Sequence, residues 1–266
     1  MFMFNAIGTT VLLTAFFTEF TLMLLHHPPR KLVNETMANL SLGICILLVG
    51  VVEKGLSFSF FSFVYDFAFF KPDISWWLWV VAFFGCDFFH WVYHWVGHKT
   101  RLFWAAHVTH HSSQNFNLST ALRTNFIHLF YRFLFWSPLC LFGIPPAMIL
   151  LFESISAIQN FIVHTEKVGK LGILDWLFNT PSNHRVHHGS NPEYLDKNLG
   201  GITMIFDHLF GTYAKETKPP VYGITHNIDT ENPVKILLHE YMSLVKGFSK
   251  TRGLSAKFRY LFSRPQ

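Results

Sequence analysis

Apolar positions in this chain come in long runs, not in the alternation of a half-buried strand, and so predict helices from end to end. Residues 6–25 are broken only by threonines and Glu19 and reach the roughly 20 residues needed to cross a bilayer. No charge lies in residues 1–5, which argues for an uncleaved anchor over a cleaved signal. Residues 40–52 are short for a span, and 56–70 are interrupted by Asp66; either could be re-entrant or interfacial, and the sequence leaves their topology and the number of full spans in 38–70 open. Residues 75–96 predict a stronger span, with Trp76 and Trp77 where an aromatic belt would sit. Residues 125–142 and 147–163 flank Gly143-Ile144-Pro145-Pro146, the tight turn of a helical hairpin.

Composition strengthens the membrane reading over its alternative, a soluble helical protein with a large aromatic core. Only 14% of residues are charged, against about 25% in a soluble domain. Disorder is excluded, and no polar or Pro/Ser-rich stretch divides the 266 residues into two domains. The net charge of +5 comes from singly spread basic residues, which fits a membrane surface and not nucleic acid. Arg30, Lys31, Lys99, Arg101, Arg123 and most basic residues after Lys167 fall on one side of the predicted spans, which should be cytosolic. Cys45, Cys86 and Cys140 lie in apolar runs without C-x-x-C spacing, which excludes a disulfide framework and a thiolate zinc site.

The histidines concentrate where the chemistry should lie. His94 and His98 are four residues apart, on one helix face at the end of the 75–96 span. His107, His110 and His111 follow as H-x-x-H-H, and His184, His187 and His188 repeat the pattern. At this histidine content about 0.06 such strings are expected by chance. A single box could be a set of hydrogen-bonded core histidines, but eight imidazoles gathered together need a compensating ligand. Imidazole suits Zn, Cu, Fe and Ni, and eight nitrogens exceed what one ion uses. A pair of irons could activate dioxygen, whereas redox-inert zinc could not.

These boxes, in this order, resemble the fatty acid hydroxylase and sterol desaturase superfamily of membrane-bound di-iron enzymes. The resemblance covers about residues 76–246 and is densest around His164-Thr-Glu, Phe178-Asn-Thr-Pro-Ser-Asn-His184-Arg-Val-His-His-Gly, Asp196-Lys-Asn-Leu-Gly-Gly and Asp207-His-Leu-Phe-Gly-Thr. There, and in Val221-Tyr-Gly-Ile-Thr-His, it is similar to the alkylglycerol monooxygenase branch and its bacterial relatives. It implies His94, His98, His107, His110, His111, His184, His187 and His188 as metal ligands, acting in catalysis through the metals, with His164 as an additional ligand. His90-Trp91 and Trp95 depart from the family pattern, and His90 creates a second H-x3-H with His94; His98 ranks above His90 as a ligand. His208 is expected near the site or on the surface.

Asp87, Glu166 and Asp196 are candidates to orient ligand imidazoles, with Asp196 placed in the site. Asp175, Asp207 and Glu240 are expected to be caps or solvated charges, while Asn198 and Gly200-Gly201 resemble a family signature.

The expected fold class is therefore all-α: a polytopic integral-membrane helical bundle with a cytosolic histidine-rich di-metal lobe. It forms one unit, with membrane segments in 1–74, the metal-binding catalytic region in 75–212 and a cytosolic C-terminal segment in 213–266. The implied activity is a di-iron monooxygenase hydroxylating a lipid C–H bond, with an alkylglycerol-type ether lipid as the nearest substrate. A sterol or fatty acyl desaturase or hydroxylase would use the same ligands, and a histidine-rich metal transporter is the rival from another class. No flavin, nicotinamide or haem signature is present, so an external electron donor is implied. The nearer branch suggests tetrahydrobiopterin; the wider superfamily suggests cytochrome b5 or ferredoxin. Expected partners are the lipid, the membrane and that donor, with no nucleic acid. Zinc is expected to replace iron in some purified samples. The membrane is either a bacterial inner membrane or the endoplasmic reticulum.

Overall fold

Two long helices make up the first quarter of the chain, α1 (Phe2–Leu25) and α2 (Arg30–Asp66), in a computed structural model that describes residues 2–265. The topology that the sequence left open is resolved: 40–52 and 56–66 belong to one helix, α2, which is continuous for 37 residues, about 55 Å at 1.5 Å per residue, and Asp66 ends it. Two charges inside it, Glu53 and Lys54, are matched by the rest of the bundle. Arg132 donates to Glu53 at 3.3 Å, Ser57 donates to Glu53 at 2.8 Å, and Lys54 pairs with Glu153 at 3.3 Å. Among the described residues α2 is the one helix long and apolar enough to cross a membrane. Ile44, Leu47, Leu48, Val51 and Val52 form an exposed apolar band along it.

The remaining elements are α3 (Trp76–Lys99), α4 (Arg101–His111), α5 (Leu118–Leu122), a 3-10 turn at Phe126–Phe130, α6 (Phe133–Leu141), α7 (Pro146–Ile162), α8 (Ile173–Leu177), α9 (Pro181–His187), α10 (Ile205–Phe210), α11 (Pro233–Lys250) and α12 (Leu254–Phe262). The predicted run 125–142 is thus not one helix. Asn125 caps the 3-10 turn by accepting from Ile127 N–H at 3.0 Å, and the chain redirects before α6 begins. That break lets Arg132 reach Glu53, with Glu153 close by at 3.9 Å. The hairpin turn lies where it was predicted. Gly143 has φ 81°, and a Cβ there would lie 2.4 Å from the Phe70 carbonyl oxygen, so only glycine fits.

The main core is the seam between α2, α3, α6 and α7, filled by Phe61, Ala82, Cys86, Trp136, Cys140 and Ile149. Trp136 places its indole N–H on the Cys86 carbonyl at 3.1 Å, satisfying its polar atom inside that seam. A second polar anchor ties α2 to the segment after α4. Buried Glu35 accepts from Ser113, Asn115 and the Gln114 N–H, while buried Arg123 donates to Asn39, Thr109 and Ser112. This packing directs the ends of α3 and α7 toward α4 and α9, and their histidines meet there.

Candidate metal centre

Nine histidines from four helices and their flanks converge into two buried groups. One comprises His94 and His98 on α3, His107 and His111 on α4, and His187 on α9. The other comprises His110 on α4, His164 just after α7, His184 on α9 and His188 at its C-cap. Within each group the ring nitrogens lie within 4.8 Å of one another. Neighbouring His110 and His111 serve different groups, and the stacked rings of His111 and His188, 4.6 Å apart, join the two.

The local sequence explains how the boxes are aimed. Thr180-Pro181 starts α9: Pro fits the first helical position, and the Thr180 hydroxyl accepts from Asn183 N–H. Asn183 then donates to the carbonyls of Asp175 and Phe178. Arg185 faces away from the metal groups and forms a two-pronged ion pair with Glu216 at 2.9 and 2.7 Å. It also reaches the Thr165 and Val168 carbonyls, fixing α9 to the segment that carries His164.

The five-histidine group has a definite shape. Ring centres of His94, His107, His111 and His187 form a closed ring with edges of 4.7, 4.8, 4.6 and 4.4 Å, and the His107–His187 diagonal is 6.3 Å. His98 lies between 4.8 and 5.2 Å from all four. This outlines a square pyramid with His98 at the apex. In the four-histidine group, His110 and His184 are farthest apart at 6.4 Å, with His164 and His188 between them.

The nitrogen spacing tests whether metal ions fit. His107 Nε2 lies 3.0, 3.2 and 3.1 Å from Nε2 of His94, His98 and His111. His164 Nε2 lies 3.1, 3.0 and 3.2 Å from Nε2 of His110, His184 and His188. One imidazole nitrogen carries one hydrogen or one lone pair and cannot satisfy three others. Ligands at right angles with bonds of about 2.1 to 2.2 Å have nitrogens about 3.0 Å apart, so one ion per group fits. His187 Nε2, buried without a hydrogen-bond partner, points the same way.

Electrostatics prepare these rings to act as ligands. Burial, reinforced by neighbouring imidazoles, pushes His107, His110, His111, His184, His187 and His188 well below the ordinary histidine range. Burial also lowers His164 to about 3. Neutral rings are what a cation requires. Their outer nitrogens fix the tautomer: His94 Nδ1 donates to the Leu199 carbonyl at 2.8 Å, His187 Nδ1 to the Lys197 carbonyl at 3.0 Å, and His164 Nδ1 to the Asn160 carbonyl. His98 Nδ1 lies 3.3 Å from Asp196.

One short loop therefore orients three of the five imidazoles in the first group, through Asp196, Lys197 and Leu199. Burial opposes ionisation of Asp196, but bonds from His98 and Lys99 outweigh it and hold the carboxyl well below the usual range. Asp196 and Asn198 occupy the left-handed backbone region at φ 59° and 55°, which Asp and Asn tolerate better than most residues. Asn198 is held by four bonds, to the backbones of Asn183, Thr212 and Ala214. Buried Asp207 accepts from Leu199 N–H at 2.8 Å, Gly200 N–H at 2.7 Å and Thr212 Oγ1 at 2.6 Å. A Cβ on Gly200 would lie 2.2 Å from the Thr203 carbonyl oxygen, so the close turn needs glycine.

Several sequence expectations change here. Asp87 does not orient an imidazole; it accepts from Ile202 N–H, Thr203 N–H and the Thr203 hydroxyl, clamping the far side of the same loop. Glu166 accepts from the Tyr222 hydroxyl at 3.1 Å instead of a ligand. Asp207 is neither a solvated charge nor a simple cap, because Leu199 and Gly200 fold back onto it. Asp175 is buried and accepts from Leu171 N–H and Thr180 Oγ1. His90 stays outside both groups, with Ser156 3.3 Å from its Nδ1. His208 is half-buried between the Trp176 and Tyr213 rings, with its Nε2 on the Trp176 carbonyl, and belongs to neither group. Sequence reasoning missed Glu216 altogether, and nothing local to it signals the distant Arg185.

Residues 79–212 match the fatty acid hydroxylase family. The chain is 37% identical over 240 residues to the alkylglycerol monooxygenase of Homo sapiens, covering 90% of this chain and 54% of that protein. It is 37% identical over 239 residues to the alkylglycerol monooxygenase of Danio rerio, covering 89% of this chain and 53% of that protein. A bacterial relative, the ornithine lipid hydroxylase OlsE of Rhizobium tropici, is 28% identical over 127 residues, covering 47% of this chain and 38% of that protein. The chain spans about half the length of the alkylglycerol monooxygenases it matches. No solved structure matches it.

Proposed function

The chain belongs to the fatty acid hydroxylase family, and from that premise we propose that it is a membrane-bound di-iron monooxygenase acting on a lipid C–H bond. The observation that carries this reading is the pair of adjoining, all-imidazole groups, five and four, each short of a full octahedral shell. His94, His98, His107, His111 and His187 would hold one iron, and His110, His164, His184 and His188 the other. Bound iron supplies the redox chemistry needed to activate dioxygen, which zinc in the same nitrogens would not.

The balanced reaction takes one lipid C–H bond, one dioxygen, two electrons and two protons to one C–O–H group and one water. The protein's own contribution is to hold neutral rings in place through the 196–199 loop and to keep the centre buried. The two electrons come from an external donor, tetrahydrobiopterin by the nearer relatives or a cytochrome b5 or ferredoxin chain by the wider superfamily. The exposed apolar band on α2 supports a membrane-spanning bundle, with the histidine groups on the cytosolic side under the positive-inside rule. An acyl or alkyl chain would then approach the metals laterally from the bilayer.

The substrate reading is an alkylglycerol-type ether lipid, oxidised at the carbon beside the ether oxygen. That carbon is activated toward hydrogen abstraction, and the hemiacetal formed collapses to a fatty aldehyde and a glycerol lipid. Iron-loaded protein incubated with alkylglycerol, reductant and labelled dioxygen should give labelled aldehyde when exchange with water is limited. A double bond without oxygen incorporation would replace this reading with a desaturase. Hydroxylation of a sterol or acyl chain without ether cleavage would reject the substrate, and transport of metal across vesicles without lipid oxidation would reject the enzyme.

A further inference from the structure

The last two helices carry an apolar face that nothing among the described residues covers. On α11, Val234, Leu238, Met242 and Val245 recur at four-, four- and three-residue steps, within one helix face, and all are exposed. Ile236 and Leu244 on its other side are buried. On α12, Leu254, Phe258 and Phe262 repeat every four residues, at 86%, 63% and 42% exposure, and the helix has no buried residue. Left in water, such a face would be a liability; apolar surface of this kind marks an interaction site.

Charge identifies what lies against it. Residues 233–266 hold seven Lys and Arg but one acidic residue, Glu240, leaving 14 basic against 15 acidic residues in the rest of the chain. The whole positive excess of the protein therefore sits on this segment. Lys246, Lys250, Arg252 and Arg259 are exposed beside the apolar stripe. A second copy of the chain would bring the same positive segment against itself, whereas an anionic surface would be attracted.

Position identifies it further. Ile236 is packed with Ala38 and Leu42 of α2. That contact lies less than one turn from Ile44, where the exposed apolar band of α2 begins, and on the side of Arg30 and Lys31. The helix pair thus sits level with the boundary between the apolar band and the charged end of α2. α12 is fixed at that level by the Arg101 N–H on the Ser263 carbonyl at 2.9 Å and by Arg101 over the Tyr260 ring. We infer that α11 and α12 form an interfacial anchor whose apolar stripe enters the headgroup layer of an anionic leaflet, with the basic flanks on the lipid phosphates. This rests on the membrane-spanning reading of α2 and extends it to a segment with no span of its own.

The full chain, reconstituted in vesicles with Cys45→Ser to remove the exposed native thiol, tests the inference. Environment-sensitive probes are placed singly at Phe258→Cys and, as reference, at Val51→Cys in the α2 band. Both sites are exposed, so neither change opens the core. The probe at 258 should be quenched best by lipids labelled near the headgroup, and more in vesicles containing phosphatidylglycerol than in pure phosphatidylcholine. The probe at 51 should be quenched by chain-labelled lipid in both. Changing Lys250, Arg252 and Arg259 to Gln should lower the docked-to-undocked ratio by about fivefold per charge. Quenching at 51 but not at 258 would overturn the anchor while leaving the span intact. Quenching at neither site would overturn both. Quenching at 258 that ignores phosphatidylglycerol would remove the anionic preference, and a probe shielded from both lipid quencher and aqueous iodide would assign the face to a protein partner.

Discussion

Replacing Asp207 by Asn should weaken metal binding at the five-histidine site while sparing the four-histidine site. The carboxylate is fully buried and accepts from Leu199 N–H, Gly200 N–H and Thr212 Oγ1 at 2.8, 2.7 and 2.6 Å. Asparagine keeps one acceptor oxygen and turns an amide donor toward a group that is itself a donor. Losing a charge-assisted bond and stranding that group costs roughly 3 kcal/mol. The strain falls on Leu199, whose carbonyl accepts from His94 at 2.8 Å, and on a loop that also positions His98 and His187. Loss of such outer partners lowers metal affinity by about 10- to 100-fold. His164 rests instead on Asn160, outside the loop. Metal per chain, read by elemental analysis across a chelator titration, should show one equivalent released at about 10- to 100-fold lower chelator and the other unmoved. Circular dichroism should show helicity retained. If both equivalents shift together, or neither shifts, the loop does not divide the two sites as argued.

Three further outcomes follow from other parts of the structure. Gly200→Ala places a methyl 2.2 Å from the Thr203 carbonyl and should cost about 1 to 3 kcal/mol by overpacking, read as a fall in Tm with loss of metal from the same site. His187→Ala should abolish turnover and lower metal content, while His26→Ala and His226→Ala, outside both groups, should leave both unchanged; full activity in the His187 variant would refute its assignment. Glu153→Ala leaves Lys54 without its partner and removes the second carboxylate beside Arg132, which should cost about 3 kcal/mol in thermal unfolding with metal content per folded chain preserved.

The histidine boxes were legible because their spacing is local: three and four residues return to one helix face wherever that helix ends up. Adjacent imidazoles on a helix splay apart, so the split of His110 from His111 was legible as well; the side that each remaining histidine takes was not. His107 and His111 join His94, His98 and His187, while His110, between them, joins the other group, and that depends on how α9 faces α4. Long-range compensation hid other features. Asp66 read as an interruption and is the last residue of α2, while Glu53 and Lys54, between the two apolar runs, have partners 79 and 99 residues away in Arg132 and Glu153. Asp207 had the local pattern of a helix-start acid, and its bonds to Leu199 and Gly200 exist only because the loop returns to it. Asp196, next to its basic partner in no local sense, reaches Lys99 and His98 across 97 and 98 positions.

If the two histidine groups are two separate metal sites on one chain, the number of ions bound per chain decides it. Active protein, freed of adventitious ions and assayed by elemental analysis beside quantitative amino-acid analysis, should contain close to two ions per chain, iron when turnover is highest. A value near zero or one in fully active protein would rule out the pair of sites.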